Sequence, residues 1–133
     1  MNRNKRLNLW VAALSLAAGA VLMAACAPQD APAAAVQRYL QAVVAKDADR
    51  AVTASCASWE DSARQEVDSF KAVTVTLKDV TCSTSGDDGD AKLVSCTGSM
   101  AVSYNAENRE VSLQGKVYRV TQEGGDWRMC GYK

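Results

Sequence analysis

Five cysteines, four tyrosines and no histidine bound the chemistry open to this chain of 133 residues. Without imidazole there is no Ser-His-Asp triad, no Cys-His nucleophile pair and no histidine ligand for zinc. Cys56, Cys82, Cys96 and Cys130 are separated by 25, 13 and 33 residues. No C-x2-C pair occurs among them, so no metal centre is expected. A proton-transfer site would need an inward carboxylate beside a donor such as a tyrosine. Tyr39, Tyr104, Tyr118 and Tyr132 could donate, but the acids fall where solvent is expected. Asp47, Asp49 and Asp61 sit at helix starts, and Asp87, Asp88, Asp90, Glu123 and Asp126 in turns. Asp79 alone interrupts a strand pattern, in phase with Val73, Val75 and Leu77; a bulge or an exposed strand end is expected there. Asp87-Asp88-Gly89-Asp90 lacks the alternation of a calcium loop, and the twelfth position from Asp87 is Gly98, not Glu. It reads as a hairpin turn. No catalytic residue and no cofactor is expected.

The fifth cysteine has a different setting. Arg3, Lys5 and Arg6 open the chain with no acid beside them, and no charge occurs from Leu7 to Gln29. A basic start, an apolar centre and then small residues is the pattern of a secretory signal. An uncleaved membrane helix is the alternative, and either keeps the basic end in the cytoplasm. Leu22-Met23-Ala24-Ala25-Cys26 resembles the lipobox of bacterial lipoproteins, although Met23 departs from the usual Leu, Val or Ile. The resemblance implies lipid transfer to Cys26, cleavage before it, and anchoring to the cell membrane or outer membrane, facing outside the cytoplasm. Residue Ala27, where an Asp is absent, favours the outer membrane by family analogy in a Gram-negative host. The chain then divides into a signal peptide (1–25), a flexible tether (26–32) and one domain (33–133).

Residues 26–133 carry 12 basic and 15 acidic side chains, which excludes the basic footprint of a nucleic-acid binder. An even number of exported cysteines suggests two disulfides, with three possible connectivities. Two strand-like runs flank the turn Ser85–Asp90, and a hairpin centred at 89 places Cys82 opposite Cys96. Cys56 and Cys130 pair by elimination. The domain has no Ile, one Phe and four Leu, a small core of the kind that bridges commonly staple.

The elements that position these residues follow from periodicity. Asp30 can cap a helix with Pro32 in its first turn, and Val36, Tyr39, Leu40, Val43 and Val44 form one stripe. Asp47 caps a second helix with Ala48, Ala51 and Val52 inward. Ser58-Trp59-Glu60-Asp61 has the form of a capping box, and Trp59, Ala63, Val67 and Phe70 continue a third stripe. After Lys71 the period becomes two, giving four strands at about 73–83, 91–104, 110–122 and 126–132. Val111, Leu113 and Val117 share one parity, Tyr118 and Val120 the other, so the inward face switches near Gly115-Lys116 and the sheet bends. A hairpin at Gly124-Gly125 sets Val120 opposite Met129 and Gln122 opposite Trp127. The class expected is α+β, three N-terminal helices packed on a bent antiparallel four-stranded sheet.

This layout, with YLQAVVAKDADRAV in the helices and YRVTQEGGDWRMCG at the end, resembles the nuclear transport factor 2-like (cystatin-like cone) superfamily. The resemblance implies a curved sheet wrapped round the helices with a pocket at its wide end. Tyr39, Trp59, Phe70, Tyr118 and Trp127 are the candidates to line it. Because that superfamily holds isomerases and dehydratases beside modules with no activity, the fold does not fix the function. A non-catalytic binding domain is expected. A small isomerase or hydrolase is the first alternative and a structural envelope module the second. The expected partners are the membrane, through lipid on Cys26, and a small ligand or an envelope protein, with a homodimer also open.

Overall fold

The computed structural model describes residues 30–133. The expected signal peptide, Cys26 and the first part of the expected tether lie outside the described residues. The first helix, α1 (Ala31–Val44), starts where Asp30 accepts a hydrogen bond from the Ala33 N–H at 3.2 Å, with Pro32 in the first turn. It takes Ala31 and Pro32 of the expected tether into regular structure. The same carboxylate accepts from the Thr84 N–H at 2.7 Å and the Thr84 hydroxyl at 2.6 Å, tying the helix start to the sheet. These bonds hold the Asp30 carboxyl below the usual carboxylate range, the Thr84 hydroxyl contributing most. Val36, Tyr39, Leu40 and Val43 are buried, and so are Ala33, Ala34, Ala35 and Ala42. The small alanines let the sheet approach α1 closely.

The second helix, α2 (Ala48–Thr53), begins where Asp47 accepts from the Arg50 N–H at 3.0 Å. A 3-10 turn (Ala57–Trp59) then runs directly into α3 (Glu60–Ser69). The capping box expected at Ser58 does not form. Trp59 occupies the cap position of α3 with no side-chain cap bond, and the Ser58 hydroxyl instead lies 3.2 Å from the Cys56 Sγ. The extra turn moves Ser58 out of register with the helix it would cap.

The sheet has five strands, not four. They are β1 (Thr74–Asp88), β2 (Ala91–Tyr104), β3 (Glu107–Ser112), β4 (Val117–Glu123) and β5 (Asp126–Tyr132), all antiparallel. The order is β1-β2-β4-β5, with β3 also on β2. The expected single strand over 110–122 is divided at Leu113–Lys116. Its first part pairs with Ser99–Tyr104 and its second with Lys92–Ser95, so one long strand serves two short ones. Leu113 turns inward there and is fully buried, whereas Val111 is exposed. Burying a side chain of this kind stabilises by about 1.5–3 kcal/mol.

The division belongs to a line of irregularities that crosses the sheet and bends it. In β1 the register with β2 shifts between Lys78 and Thr81, and Asp79 adopts a positive φ of 49°. In β2, Gly98 has φ 87°, and its carbonyl accepts from the Leu113 N–H at 3.0 Å. Asp79 is therefore a bulge residue with an exposed side chain. Beyond the line β1, β2 and β3 form a three-stranded flap whose Val75 is buried and whose Leu77 and Met100 pack against the core. Before it, the sheet curves round α1 with Val94, Tyr118, Val120 and Met129 inward.

Two disulfides staple this arrangement. Cys82 and Cys96 face each other across β1 and β2, and Cys56 is bonded to Cys130. The second bond reinforces a backbone splice, in which Met129 N–H donates to the Ala54 carbonyl and Cys56 N–H to the Met129 carbonyl, each at 2.9 Å. The segment after α2 thereby covers the outer edge of β5.

Candidate functional site

Three of the five aromatic candidates come together. Tyr39 on α1 donates its hydroxyl proton to the Glu66 carboxylate on α3 at 2.7 Å, and accepts from the Trp59 indole N–H at 3.2 Å. Tyr132 on β5 donates to the same oxygen of Glu66 at 3.0 Å. The Tyr132 ring lies 5.3 Å from that of Tyr118 and 5.7 Å, edge-on, from that of Trp59. Trp59 in turn packs on Gly131, where a Cβ would lie 3.3 Å from the indole. The cluster therefore contains Tyr39, Trp59, Tyr118, Tyr132 and Glu66, drawn from five elements.

Phe70 and Trp127 take no part in these ring contacts or hydrogen bonds. Phe70 ends α3 and packs half-buried on the core. Trp127 is half-buried elsewhere, at the start of β5. Glu66 was not expected from the sequence, and Tyr132 was expected only as a possible donor, not among the pocket aromatics. Glu66 sits between Ala63 and Val67 at the margin of the inward face of α3, and that carboxylate beside an apolar stripe was the available signal.

Tyr39 and Tyr118 fill the interior and do not line a cavity, whereas Trp59 and Glu66 are half-buried and Tyr132 closes the cluster at the surface, 43% exposed. Tyr39 is fully buried and Tyr118 is 1% exposed. Burial, first, and the Glu66 carboxylate, second, push the Tyr39 hydroxyl well above the ordinary tyrosine range. Burial pushes Tyr118 to about 12, with Glu66 adding to it. Tyr132 is raised mainly by burial and then by Glu66. The hydroxyls of Tyr39 and Tyr132 keep their protons at neutral pH and direct both to Glu66. Neither is free to polarise a bound carbonyl.

Two of the acids around Gly89 are engaged with neighbours. Asp87 pairs with Lys92, and Asp88 lies 3.2 Å from both Arg119 and Lys133. Lys133 and Arg119 hold the Asp88 carboxyl below its usual range, so the acidic end of β1, expected as a turn but paired as strand up to Asp88, carries its own counter-ions. Among the described residues no group of three or more His, Cys, Asp or Glu could hold a metal ion.

A hollow of about 540 Å³ is open and lies between α1, α2 and the start of β5. Arg38, Asp49, Arg50, Thr53, Ala54, Asp126, Trp127 and Arg128 line it. A second feature lies on the flap, where Tyr104 is 54% and Val111 43% exposed beside Val102, Glu107 and Arg109.

This geometry defines an α+β domain with a bent five-stranded antiparallel sheet and two disulfides. No protein-family model matches the chain, and no curated protein matches it in sequence. Among solved structures it is similar to RPA3114, a SEC-C motif containing protein from Rhodopseudomonas palustris, with a TM-score of 0.50 and 11% identity over 79% of this chain and 80% of that one. It is also similar to Rv3472, a protein of unknown function from Mycobacterium tuberculosis, with a TM-score of 0.50 and 17% identity over 72% of this chain and 63% of that one. At these identities the likeness is one of fold alone. The disulfides are consistent with a location outside the cytoplasm. No described helix is long and apolar enough to cross a membrane.

Proposed function

We propose that this chain is a lipid-anchored extracytoplasmic domain that binds a protein partner by its surface, without catalysis. The observation that carries this reading is the filled interior. Tyr39, Tyr118, Leu40 and Met129 occupy the space inside the sheet that a ligand would need, and each is at most 1% exposed. We read the layout as a nuclear transport factor 2-like cone whose pocket has been closed by its own side chains. Recognition then falls to the exterior, and the apolar end of the flap at Val102, Tyr104 and Val111 is the surface suited to an envelope protein. The anchor is the lipid on Cys26. From Cys26 to Asp30 is four residue steps, at most about 14 Å, which keeps the domain close to the bilayer.

Labelling with an alkyne fatty acid tests the anchor: the wild type takes up label and Cys26→Ala does not, and equal labelling would overturn it. Replacing Tyr104 with a photocrosslinking phenylalanine analogue in the host tests the surface. A crosslink to an envelope protein supports the reading. A crosslink only to a second copy would replace that partner with a homodimer, and no crosslink would overturn protein binding there.

A further inference from the structure

We propose that the hollow between α1, α2 and β5 is a binding site for a small organic carboxylate with a flat apolar group. The site shares no lining residue with the flap surface, so the two readings stand or fall separately.

Charge is the first observation. Residues 26–133 hold an excess of acids, yet three of their six arginines, Arg38, Arg50 and Arg128, line this one hollow. Arg38 and Arg50 have no carboxylate within ion-pair distance among the described residues. Residues 1–29 contain no Asp or Glu that could supply one. Guanidinium forks match the two oxygens of a carboxylate and are only weakly hydrated, so they give up water readily to such a ligand. Asp49 and Asp126 reduce the formal charge of the lining to +1, which suits a monoanion better than a phosphate dianion. Asp126 is already engaged, 3.6 Å from Arg128, and Asp49 lies 4.0 Å from Arg64 outside the hollow.

The second observation is that the hollow is built in advance. Arg128 donates to the Thr53 carbonyl and so braces the end of α2 against β5. One residue further on, the paired bonds between Ala54, Cys56 and Met129 fix the spacing of those elements, and the Cys56–Cys130 disulfide locks it. Binding therefore requires little ordering of the backbone, which favours affinity for a small molecule. Half-buried Trp127 supplies a flat apolar wall in a lining otherwise dominated by charge. A carboxylate directed to Arg38 and Arg50 and a ring laid on Trp127 would use both parts of the lining.

Benzoate is the probe, with benzamide and inorganic phosphate as controls, titrated calorimetrically into the full chain in detergent. Saturable benzoate binding in the millimolar range or tighter is expected, with no benzamide binding and weaker phosphate binding. Arg38→Gln and Arg50→Gln should each weaken it at least tenfold. Both side chains are exposed, and an unchanged circular dichroism spectrum verifies that the variants fold. Trp127→Leu should weaken benzoate while leaving phosphate unchanged. Absence of saturable benzoate binding, or binding unaltered in both arginine variants, would overturn the site. Equal binding of phosphate and benzoate would overturn the role given to Trp127.

Discussion

Replacing Gly98 by alanine attacks the bend of the sheet at a point where a side chain on β2 would meet the backbone of β1. A Cβ built there lies 2.5 Å from the carbonyl oxygens of Lys78 and Asp79 and 2.7 Å from the Asp79 carbonyl carbon. Those are backbone atoms, so no side chain can swing aside to make room. Two costs combine. At φ 87° an alanine is strained, which costs about 1–2 kcal/mol. Moving β1 away from β2 is an overpacking of the usual size, about 1–3 kcal/mol. The expected loss is about 2–5 kcal/mol, large against the total stability of a domain this size. Gly89 provides the control, since it has φ 63° but nothing within 4 Å of its Cβ position. Gly89→Ala should show the conformational cost alone, about 1–2 kcal/mol. Urea unfolding followed by circular dichroism, with both disulfides intact, measures the difference. If the two variants unfold within about 0.5 kcal/mol of each other, the close approach at Gly98 does not hold the bend.

Four further predictions concern the staples, the cap of α1 and the buried network. The disulfides span sequence separations of 74 and 14 residues. On the chain-entropy account, loss of Cys56–Cys130 costs about 4.5 kcal/mol and loss of Cys82–Cys96 about 3, and paired serine variants in denaturant reverse this reasoning if the short bridge proves dearer. Asp30→Ala removes a helix cap and should cost about 1 kcal/mol in thermal unfolding. The Asp30 carboxyl titrates lower folded than unfolded, so its stabilisation is present above the ordinary 3.8 and lost as the pH falls through the folded value. An acid titration of Asp30→Asn should therefore lack that component, and an unchanged acid limb would contradict it. The tyrosines behave oppositely: Tyr39, Tyr118 and Tyr132 are raised above 10.0 in the folded state. Their contribution is full below pH 10 and declines as the pH rises towards the folded values. Absorbance from the Tyr39 and Tyr118 tyrosinates should consequently rise together with loss of circular dichroism; ionisation of these two in a still-folded domain would refute the burial argument. Tyr39→Phe leaves the Trp59 N–H without its acceptor and should cost about 1–3 kcal/mol.

Much of the fold was legible in local pattern. The stripe Val36, Tyr39, Leu40 and Val43 specified α1, and the alternation from Ala91 to Tyr104 specified β2. The hairpin centre at 89 placed Cys82 against Cys96, and the turn at Gly124-Gly125 set Val120 opposite Met129 and Gln122 opposite Trp127. These readings succeeded because period and turn position are local quantities. The inversion of parity at Gly115-Lys116 was visible too, but its consequence was not. That the chain leaves β2 after Ser112 and rejoins it at Ser95 depends on the length of β2, which no feature of residues 110–122 encodes. The capping box at Ser58 failed for a related reason, because the splice of Cys56 onto Met129 sets where the next helix begins.

The candidate site was less legible than the fold. Composition identified the few large aromatics available, but their contacts join residues as distant as Tyr39, Glu66 and Tyr132. Such contacts depend on how far the sheet curls over α1. The sequence by itself determined the chemistry excluded by the lack of histidine, the basic and apolar stretch ahead of Cys26, the α+β class and the local register of the hairpins. Only the tertiary structure decided whether the aromatics line a pocket or fill it, because that is a balance between side-chain volume and sheet curvature. The line through Asp79, Gly98 and Leu113 sets the curvature, the buried tyrosines supply the volume, and together they leave the arginine hollow outside.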